Sequence, residues 1–309
     1  CVNNFFFFCD NQIPSHGFCI MSSNPNDDDI SCVLYERKGF VAYITLNRPR
    51  QMNAIDMRLP SQLEWAVQQA DADQQVRVIV LQGAGRAFCA GYDLELFAAR
   101  KGSNPGFQDP NVGPWDPMID FRMMFGNTHN FMSLQRTLKP VICKVHGAGA
   151  IAGGSDIALC ADIIVMSETA RIGYPPARSW GCPTTMHWIT RVGPVHAKRM
   201  LLTGDAIDGK EAFRIGLVNA VVAEADLEAE VERWVQRIGS VAASQLAMHK
   251  LVVNTATQQQ GLYSQQVLAT LLDGVARHSP DGVEFKRVAE AKGWKEAVAQ
   301  RDGKQKAKL

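Results

Sequence analysis

Two glycine-rich stretches constrain the fold of this chain more than any other feature of its sequence. The first is GRAFCAGYDL at residues 85–94, and it follows the apolar run VRVIVL at residues 76–81. The second is HGAGAIAGGSDIALCAD at residues 146–162, directly after the run VICKV at residues 141–145. Each pattern predicts a strand that turns through small residues into a helix, where glycine lets the backbone approach a ligand closely.

The two predicted helix starts form a candidate site for a negatively charged oxygen. The first N–H groups of a helix have no partner inside the helix and carry the positive end of its dipole. Two such ends that converge would make a pocket with two donors for a developing oxyanion. A tight strand-to-helix connection is the better explanation of a single stretch, but a pair with specific flanking sequence favours the site.

The composition is that of a globular protein and excludes several other classes. The 309 residues can bury a large core in one domain with an appendage, or in two small domains. The net charge is only +1 and no apolar run is as long as a membrane helix, so we expect neither a nucleic-acid nor a membrane partner. The eight cysteines include no CxxC pair, which predicts buried thiols in a reducing compartment.

The two ends of the chain carry separate expectations. The sequence starts without Met, and its first twenty residues lack the features of a signal peptide. Residues 1–30 are therefore expected to be disordered or artefactual, with Met21 as the natural start. The chain ends in Ala-Lys-Leu at residues 307–309, which is similar to the peroxisomal address Ser-Lys-Leu. This predicts a cytoplasmic or a peroxisomal protein.

The hydrophobic pattern predicts an α/β architecture. Strands are expected at residues 33–37, 41–46 and 76–81, with an amphipathic helix over residues 59–70, consistent with stacked ββα units. A loop is expected at residues 101–115, followed by a helix rich in Met and Phe. Its residues Met123, Met124, Phe131 and Met132 suit either the core or an adaptable wall for an acyl chain. After Pro194 the pattern is almost wholly helical, with helices predicted at residues 195–203, 209–216, 227–238, 242–260, 263–278, 281–292 and 293–302.

Five segments, in order, resemble the crotonase superfamily of enoyl-CoA hydratase/isomerase-like proteins. They are residues 44–56, 76–94, 139–165, 170–181 and 197–222. The resemblance implies a crotonase-like ββα spiral core that binds acyl-CoA, at residues 31–200. It also implies a C-terminal helical part at residues 201–309 that holds homotrimers or hexamers together. A coenzyme A thioester would be the substrate, with no separate cofactor.

The resemblance further implies a reaction through a thioester enolate held by two backbone N–H groups. Carried over to this chain, the donors are those of Tyr92 and Gly153. Gly154 is the alternative second donor, because the stretch from Gly147 to Asp156 is one residue longer than usual. The implied binding residues are Ala90, Tyr92, Asp93, Gly153 and Gly154.

The acid/base residues depart from the pattern of a hydratase. A typical member carries two glutamates that position and activate water. The first corresponds to Asp156, which could still shuttle a proton as in an isomerisation; its structural alternative is a helix cap. The second corresponds to Pro176, which has no acid/base chemistry. A catalytically silent acyl-CoA-binding or scaffolding homologue therefore stays an open alternative.

Other polar residues are weaker candidates. Replacement acids or bases could come from Tyr174, Asp93, Glu95, Arg178, His187 or His146, although each has an ordinary structural explanation. Cys89 is a conceivable nucleophile without a base placed by sequence to activate it. Coenzyme A phosphates could bind Arg48, Arg50 or Lys101. The scattered histidines predict no metal site, and the loose dinucleotide pattern of Gly147, Gly149 and Ala152 is weak on its own.

Overall fold

Short apolar runs along the chain form nine strands within the part of the protein that the computed structural model describes, which is residues 31–102, 108–111 and 113–306. The expectations for residues 1–30 and for the C-terminal tripeptide lie outside the described residues. The strands are β1 (Val33–Lys38), β2 (Val41–Leu46), β3 (Val78–Gly83), β4 (Val141–Val145), β5 (Ala150–Ile151), β6 (Ile163–Ser167), β7 (Arg171–Gly173), β8 (Ala206–Asp208) and β9 (Ala220–Val222).

The strands form two sheets. The larger has the order β1-β2-β3-β4-β6-β9, and the smaller has the order β5-β7-β8. In the larger sheet β1 and β2 are an antiparallel hairpin and all other neighbours are parallel. The hairpin turns at Gly39, whose φ of +59° suits glycine. In the smaller sheet β7 pairs parallel with β5 and antiparallel with β8.

Eleven α-helices cover the sheets in the described part of the chain. They are α1 (Leu59–Ala72), α2 (Pro117–Phe131), α3 (Ser133–Arg136), α4 (Gly153–Leu159), α5 (His187–Thr203), α6 (Gly209–Arg214), α7 (Leu227–Gly239), α8 (Ala243–Gln259), α9 (Leu262–His278), α10 (Pro280–Lys292) and α11 (Trp294–Lys306). Helix α5 is kinked at Gly193 and Pro194. None of these helices has the length and apolar character of a membrane-spanning segment.

The continuous apolar runs of the central strands reflect burial on both faces of the larger sheet. In β3, Ile79 and Leu81 pack into the main core with α1, whereas Val78 and Val80 pack against α7. Parallel strands covered on both faces lose the alternation of apolar and polar residues. The sheet is thus a rigid support, and the glycine-rich stretches leave it at the ends of β3 and β4.

The structure confirms the α/β class, with a helical C-terminal region, and corrects two details. No helix starts at Tyr92: the first glycine-rich stretch stays extended and ends in a short π-helical turn, Glu95–Ala99. The region after Pro194 is not wholly helical, because β8 and β9 join the two sheets. These strands have three residues each, too few for a two-residue period to be seen. The domain division at residue 200 stays a prediction.

Candidate active site

The two glycine-rich stretches lie side by side and pair through their backbones. The Cys89 N–H donates to the Gly149 carbonyl at 3.1 Å, and the Ile151 N–H donates to the Cys89 carbonyl at 3.0 Å. This parallel bridge between Cys89 and Ala150 joins segments that are far apart in the sequence. As a result, the residues that follow each partner, up to Tyr92 and Gly153, are brought together.

Glycine is required at position 91 because of how closely the stretches approach. Gly91 has a φ of +93°, and a Cβ there would lie 2.8 Å from the Ala152 Cβ and 3.4 Å from the Gly153 nitrogen. Ala152 itself has φ 54° and ψ −126°, a conformation that strains an alanine. The strained turn at Ala152 begins α4, so that Gly153 is its first residue. A side chain at position 91 would fill the space beside the Gly153 N–H.

Two backbone donors near this junction are unpaired. The neighbours of the Tyr92 N–H are both engaged: the Gly91 carbonyl accepts from Ile55 at 2.8 Å, and the Asp93 N–H donates to the Ile55 carbonyl at 3.0 Å. The Tyr92 N–H therefore points to the opposite side, as alternate groups of an extended segment do. Across the whole described chain, neither this N–H nor that of Gly153 has a protein acceptor.

A cavity of about 710 Å³ lies against the junction, a size typical of small-molecule sites. Ala90, Tyr92 and Asp93 line it, as does Ala152. Gly153, Gly154 and Asp156 do not line it; they belong to α4, every residue of which is buried. The predicted residues therefore belong to neighbouring segments, but only those of the first stretch are on the cavity wall. The others lie in the buried helix α4, which begins directly after Ala152.

The cavity wall combines apolar and basic side chains. Met123 and Met124 of α2 line it, whereas Phe131 and Met132 are in the main core. The C-terminal helices α10 and α11 contribute apolar side chains to the same wall, namely Phe285, Trp294 and Val298. Its basic residues are Arg50, Arg86, Arg277, Lys295 and Arg301. Such a site can hold an apolar group at one part and an anionic group at another.

Asp156 is a buried carboxylate that is not a helix cap. Its Oδ1 accepts from the Thr185 backbone N–H at 3.2 Å and from the Thr185 hydroxyl at 2.6 Å, and not from the start of α4. Burial raises the pKa of Asp156 to about 7, although the hydrogen bonds from Thr185 act in the opposite direction. A carboxyl with a pKa near neutrality can both accept and donate a proton.

The Tyr92 side chain covers the start of α4. A Cβ at Gly153 would lie 2.9 Å from Tyr92 Cε2, and the Tyr92 ring meets Phe97 edge to face with 5.7 Å between centroids. The Asn127 amide donates to the Tyr92 hydroxyl at 3.3 Å. Burial raises the pKa of Tyr92, so the hydroxyl stays neutral. Gly154 faces elsewhere, because a Cβ there would lie 2.2 Å from the Cys89 carbonyl oxygen.

Most of the weaker candidates have structural roles. Asp93 forms a salt bridge of 2.9 Å with Arg48, which also lies 3.5 Å from Asp56. Arg178 pairs with Asp205 and Asp302. A hydrogen bond of 2.9 Å connects His146 Nε2 to the Gly85 carbonyl. These contacts explain the residues without a reaction.

Burial keeps two further candidates, His187 and Cys89, in their uncharged forms at neutral pH. Burial lowers the pKa of His187 to about 3, so that its ring is neutral. Burial raises the pKa of Cys89 to about 12, and its thiol donates to the Asn53 carbonyl at 3.1 Å, which excludes a thiolate nucleophile. Within the described residues, no group of three or more His, Cys, Asp or Glu side chains is arranged to hold a metal ion.

Tyr174, Pro175 and Pro176 line the cavity beside the second glycine-rich stretch, because β7 ends at Gly173 and pairs with β5. The short 3-10 helix Pro175–Arg178 begins there, and the Tyr174 hydroxyl donates to the Cys182 carbonyl at 2.7 Å. Burial raises the pKa of Tyr174 well above its ordinary value, so this group is neutral as well. Glu95 is exposed at the cavity. Because residue 176 is a proline, this part of the cavity wall lacks the carboxylate that the sequence resemblance expects at that position.

Asp273 of α9 is a cavity residue that the sequence analysis missed. It is only 2% exposed, yet its carboxylate reaches the cavity wall. Its Oδ1 accepts from the Cys182 N–H at 3.0 Å, and its Oδ2 pairs with Arg277 one helical turn later. The available signal was an Asp–Arg pair at i, i+4 in an otherwise apolar helix, because such charges are buried only when paired.

Comparison with known proteins identifies the family of this chain. A family model described as enoyl-CoA hydratase/isomerase matches residues 36–279. A short-chain-enoyl-CoA hydratase of Clostridium acetobutylicum is 31% identical over 74% of this chain and 84% of its own length. The crystal structure of an enoyl-CoA hydratase from Mycobacterium smegmatis superposes with a TM-score of 0.82 at 42% identity, covering 90% of this chain and 96% of that chain. The crystal structure of an enoyl-CoA hydratase/isomerase from Xanthobacter autotrophicus Py2 superposes with a TM-score of 0.78 at 30% identity, and the match covers 89% of this chain and 98% of that chain. This chain therefore belongs to the enoyl-CoA hydratase/isomerase family, has the crotonase fold and is an acyl-CoA enzyme of the hydratase/isomerase type.

Proposed function

We propose that this enzyme transforms an enoyl-CoA thioester through an enolate whose oxygen is bound by the N–H groups of Tyr92 and Gly153. The observation that carries the proposal is that neither N–H has a protein acceptor in the described chain, and that Tyr92 and Ala152, the residue before Gly153, line the cavity. Preorganised donors aimed at a developing oxyanion supply much of the catalysis in acyl chemistry, and loss of one typically costs about 10²–10³ in rate.

Asp156 is the proton-transfer group of the proposed reaction. It is the fourth residue of α4, so it lies one turn from the Gly153 donor and therefore from the α-carbon next to a bound thioester carbonyl. With a pKa raised by burial to about 7, it can remove a proton from that carbon and return one. Of the two carboxylates that a typical hydratase carries, only Asp156 is present at the corresponding position of this sequence.

The wall of the cavity supports an acyl-CoA substrate. Arg50 and Lys295 line it and suit the phosphates of coenzyme A, whereas Met123 and Met124 suit an acyl chain of adaptable shape. The thioester is the substrate, with no separate cofactor. Arg48 is less suited than Arg50 to a phosphate, because it is already paired with Asp93.

A homotrimer or hexamer is the proposed assembly. Helices α8 and α9 expose large apolar side chains, among them Leu251, Val252, Val253, Tyr263 and Leu268. Such a patch is larger than isolated exposed residues would produce and is typical of a subunit interface. Sedimentation of the purified protein distinguishes a trimer or hexamer from a monomer.

The first experiment offers the purified enzyme a panel of 2-enoyl- and 3-enoyl-CoA thioesters and reads the products by mass and chromatography. A parallel assay measures the exchange of the α-protons of butyryl-CoA in D₂O, which requires only the oxyanion donors and one carboxylate. We expect α-proton exchange and turnover of at least one enoyl-CoA. The absence of both, with acyl-CoA still bound, would instead establish the silent binding or scaffolding homologue that Pro176 suggests.

A further inference from the structure

We propose that Asp273 supplies the second carboxylate of this active site, in the part of the cavity wall that Pro176 leaves without an acid. The inference rests on the proposed function, because it assigns a partner to Asp156 in the same reaction. It depends on three observations: where the Asp273 carboxylate lies, what holds it there, and how it is connected to Asp156.

The position of the carboxylate follows from the contacts around Gly181. A Cβ at Gly181 would lie 2.9 Å from Asp273 Oδ1, 3.5 Å from the Tyr174 hydroxyl and 3.6 Å from the Pro176 Cβ. These three groups therefore surround one small space, which stays open because residue 181 has no side chain. Tyr174, Pro176 and Asp273 all line the main cavity. A carboxylate from α9 thus reaches the neighbourhood in which the sequence resemblance expects a glutamate.

Buried contacts fix the Asp273 carboxylate in place. Its Oδ1 accepts from the Cys182 N–H, and its Oδ2 pairs with Arg277. Arg277 Nη2 also donates to Asp120 Oδ1 at 3.3 Å, and the Trp115 indole N–H donates to Asp120 Oδ2 at 2.7 Å. A buried charge with this many partners is positioned rigidly, as a catalytic group must be. The cluster of two carboxylates and one guanidinium also keeps a negative charge at the cavity.

The segment at residues 182–185 connects Asp273 to Asp156. Its first residue donates to Asp273 through the Cys182 N–H, and its last donates to Asp156 through the Thr185 N–H and hydroxyl. The two carboxylates are close enough for the charge of Asp273 to raise the pKa of Asp156 further. Two carboxyls whose surroundings differ divide acid and base roles between them.

The difference in their partners assigns those roles. Asp273 has a guanidinium partner, whereas Asp156 has only the neutral donors of the Thr184–Thr185 region and no salt bridge within the described chain. A cation stabilises an ionised carboxylate, and burial without one favours the protonated form. Burial raises the pKa of Asp273 as well, but Arg277 opposes that shift, whereas no cation opposes it at Asp156. We therefore assign the proton of the pair to Asp156 and the charge to Asp273.

In this arrangement the pair adds water across the double bond of a 2-enoyl-CoA. The water oxygen bonds to C3 as its proton passes to Asp273, and the π electrons move into the thioester enolate. The enolate is held by the Tyr92 and Gly153 donors and then takes the proton of Asp156 at C2. One water has been added; transfer of the proton from Asp273 to Asp156 through solvent restores the starting state.

The test compares two reactions in the same variant, Asp273→Asn. The amide keeps the size of the side chain and an acceptor for the Cys182 N–H but removes the base. We expect hydration of crotonyl-CoA to fall by about 10²–10⁴, the usual size of a general acid–base effect. Exchange of the α-protons of butyryl-CoA in D₂O, which needs only Asp156 and the oxyanion donors, should stay within about tenfold of wild type.

Two further variants separate chemistry from structure. Asp162→Asn removes a different carboxylate, one that pairs with the buried Lys250 at 2.7 Å and does not line the cavity. This control should keep most of its hydration activity. Gly181→Ala keeps every charged side chain, but at φ +151° its methyl group would lie 2.9 Å from Asp273 Oδ1, too close to fit unless the Asp273 carboxylate or the backbone shifts. It should reproduce the selective loss, even if Asp273→Asn does not fold.

The outcomes distinguish this inference from the proposed function. Loss of hydration with retained exchange in Asp273→Asn or Gly181→Ala supports the assignment. Equal loss in the Asp162→Asn control would reduce Asp273 to a structural role. A wild-type enzyme that exchanges α-protons but does not hydrate crotonyl-CoA would overturn the inference and leave the proposed function standing. A wild-type enzyme with neither activity would overturn the proposed function itself.

Discussion

Replacement of Asp156 by Asn should make the enzyme less active and, above neutral pH, more stable. Asp156 is 2% exposed and has no salt bridge among the described residues, so its ionised form is poorly solvated. Burial raises its pKa from an ordinary 3.8 to about 7, which at about 1.36 kcal/mol per pKa unit corresponds to a cost of ionisation of about 4 kcal/mol. Asn imitates the neutral carboxyl and carries no such cost.

The pH dependence follows from the direction of this shift. Below the unfolded pKa of 3.8, Asp156 is protonated in both the folded and the unfolded chain, and its ionisation contributes nothing. As the pH rises towards about 7, the unfolded chain ionises and the folded one does not, so the wild type loses stability relative to Asp156→Asn. Above pH 7 the folded carboxyl ionises too, and the difference stays constant at its largest value.

The assay is urea unfolding of wild type and Asp156→Asn at a fixed protein concentration and at pH 5, 6, 7 and 8. The free energy of unfolding of the variant should exceed that of wild type by an amount that grows with pH and approaches a few kcal/mol, about 4 at most. Enoyl-CoA turnover of the folded variant should fall by at least about a hundredfold. A stability difference that does not change with pH would refute the burial argument, and near-normal turnover would refute the catalytic role.

Four other predictions follow, three of them from the same geometry. Gly153→Pro removes the N–H at the first position of α4, where proline is tolerated, and should abolish activity, whereas Gly153→Ala keeps the donor and should retain more of it. Tyr92→Phe keeps its backbone donor and should retain most activity; a folded but inactive protein would show that the hydroxyl matters. Arg50→Ala should raise KM for acyl-CoA with little change in kcat, more strongly at low salt, while the exposed Lys198→Ala control, outside the cavity, should not. An N-terminal fluorescent fusion expressed in a eukaryotic cell distinguishes the two expected compartments: punctate signal that becomes diffuse when Leu309 is deleted would support the peroxisome, and diffuse signal from the intact chain would remove it.

Elements with a clear hydrophobic period were predictable from the sequence. The structure has β2 at the predicted residues and α1 over the predicted amphipathic stretch, and the seven predicted C-terminal helices all occur. The two-residue and three-residue strands were not predictable, because they depend on pairing with distant chain rather than on a local pattern. The extended path after Gly91 was missed for the same reason: Ile55 holds it from another part of the sequence.

The hydrophobic pattern of α9 concealed Asp273, because the large apolar side chains of this helix lie mainly on its exposed face. Leu268, Leu271 and Leu272 are exposed, whereas the buried face includes Asp273 and Arg277. A hydrophobic pattern alone predicts that the leucine face is buried in the core and that Asp273 and Arg277 are exposed to solvent. Only tertiary packing shows which face of the helix meets the cavity.

The pairing of Cys89 with Ala150 also determines at which stage of folding the enzyme gains its catalytic activity. The bridge closes a long loop that contains α2, α3 and β4, and the entropy of that closure is lost before the few hydrogen bonds of the bridge can compensate for it. Contacts of such high sequence separation form slowly, so a partly folded chain holds its two donors apart and exposed to water. Helical structure can thus return on refolding well before the donors meet, and recovery of turnover marks the closing of the core as a whole.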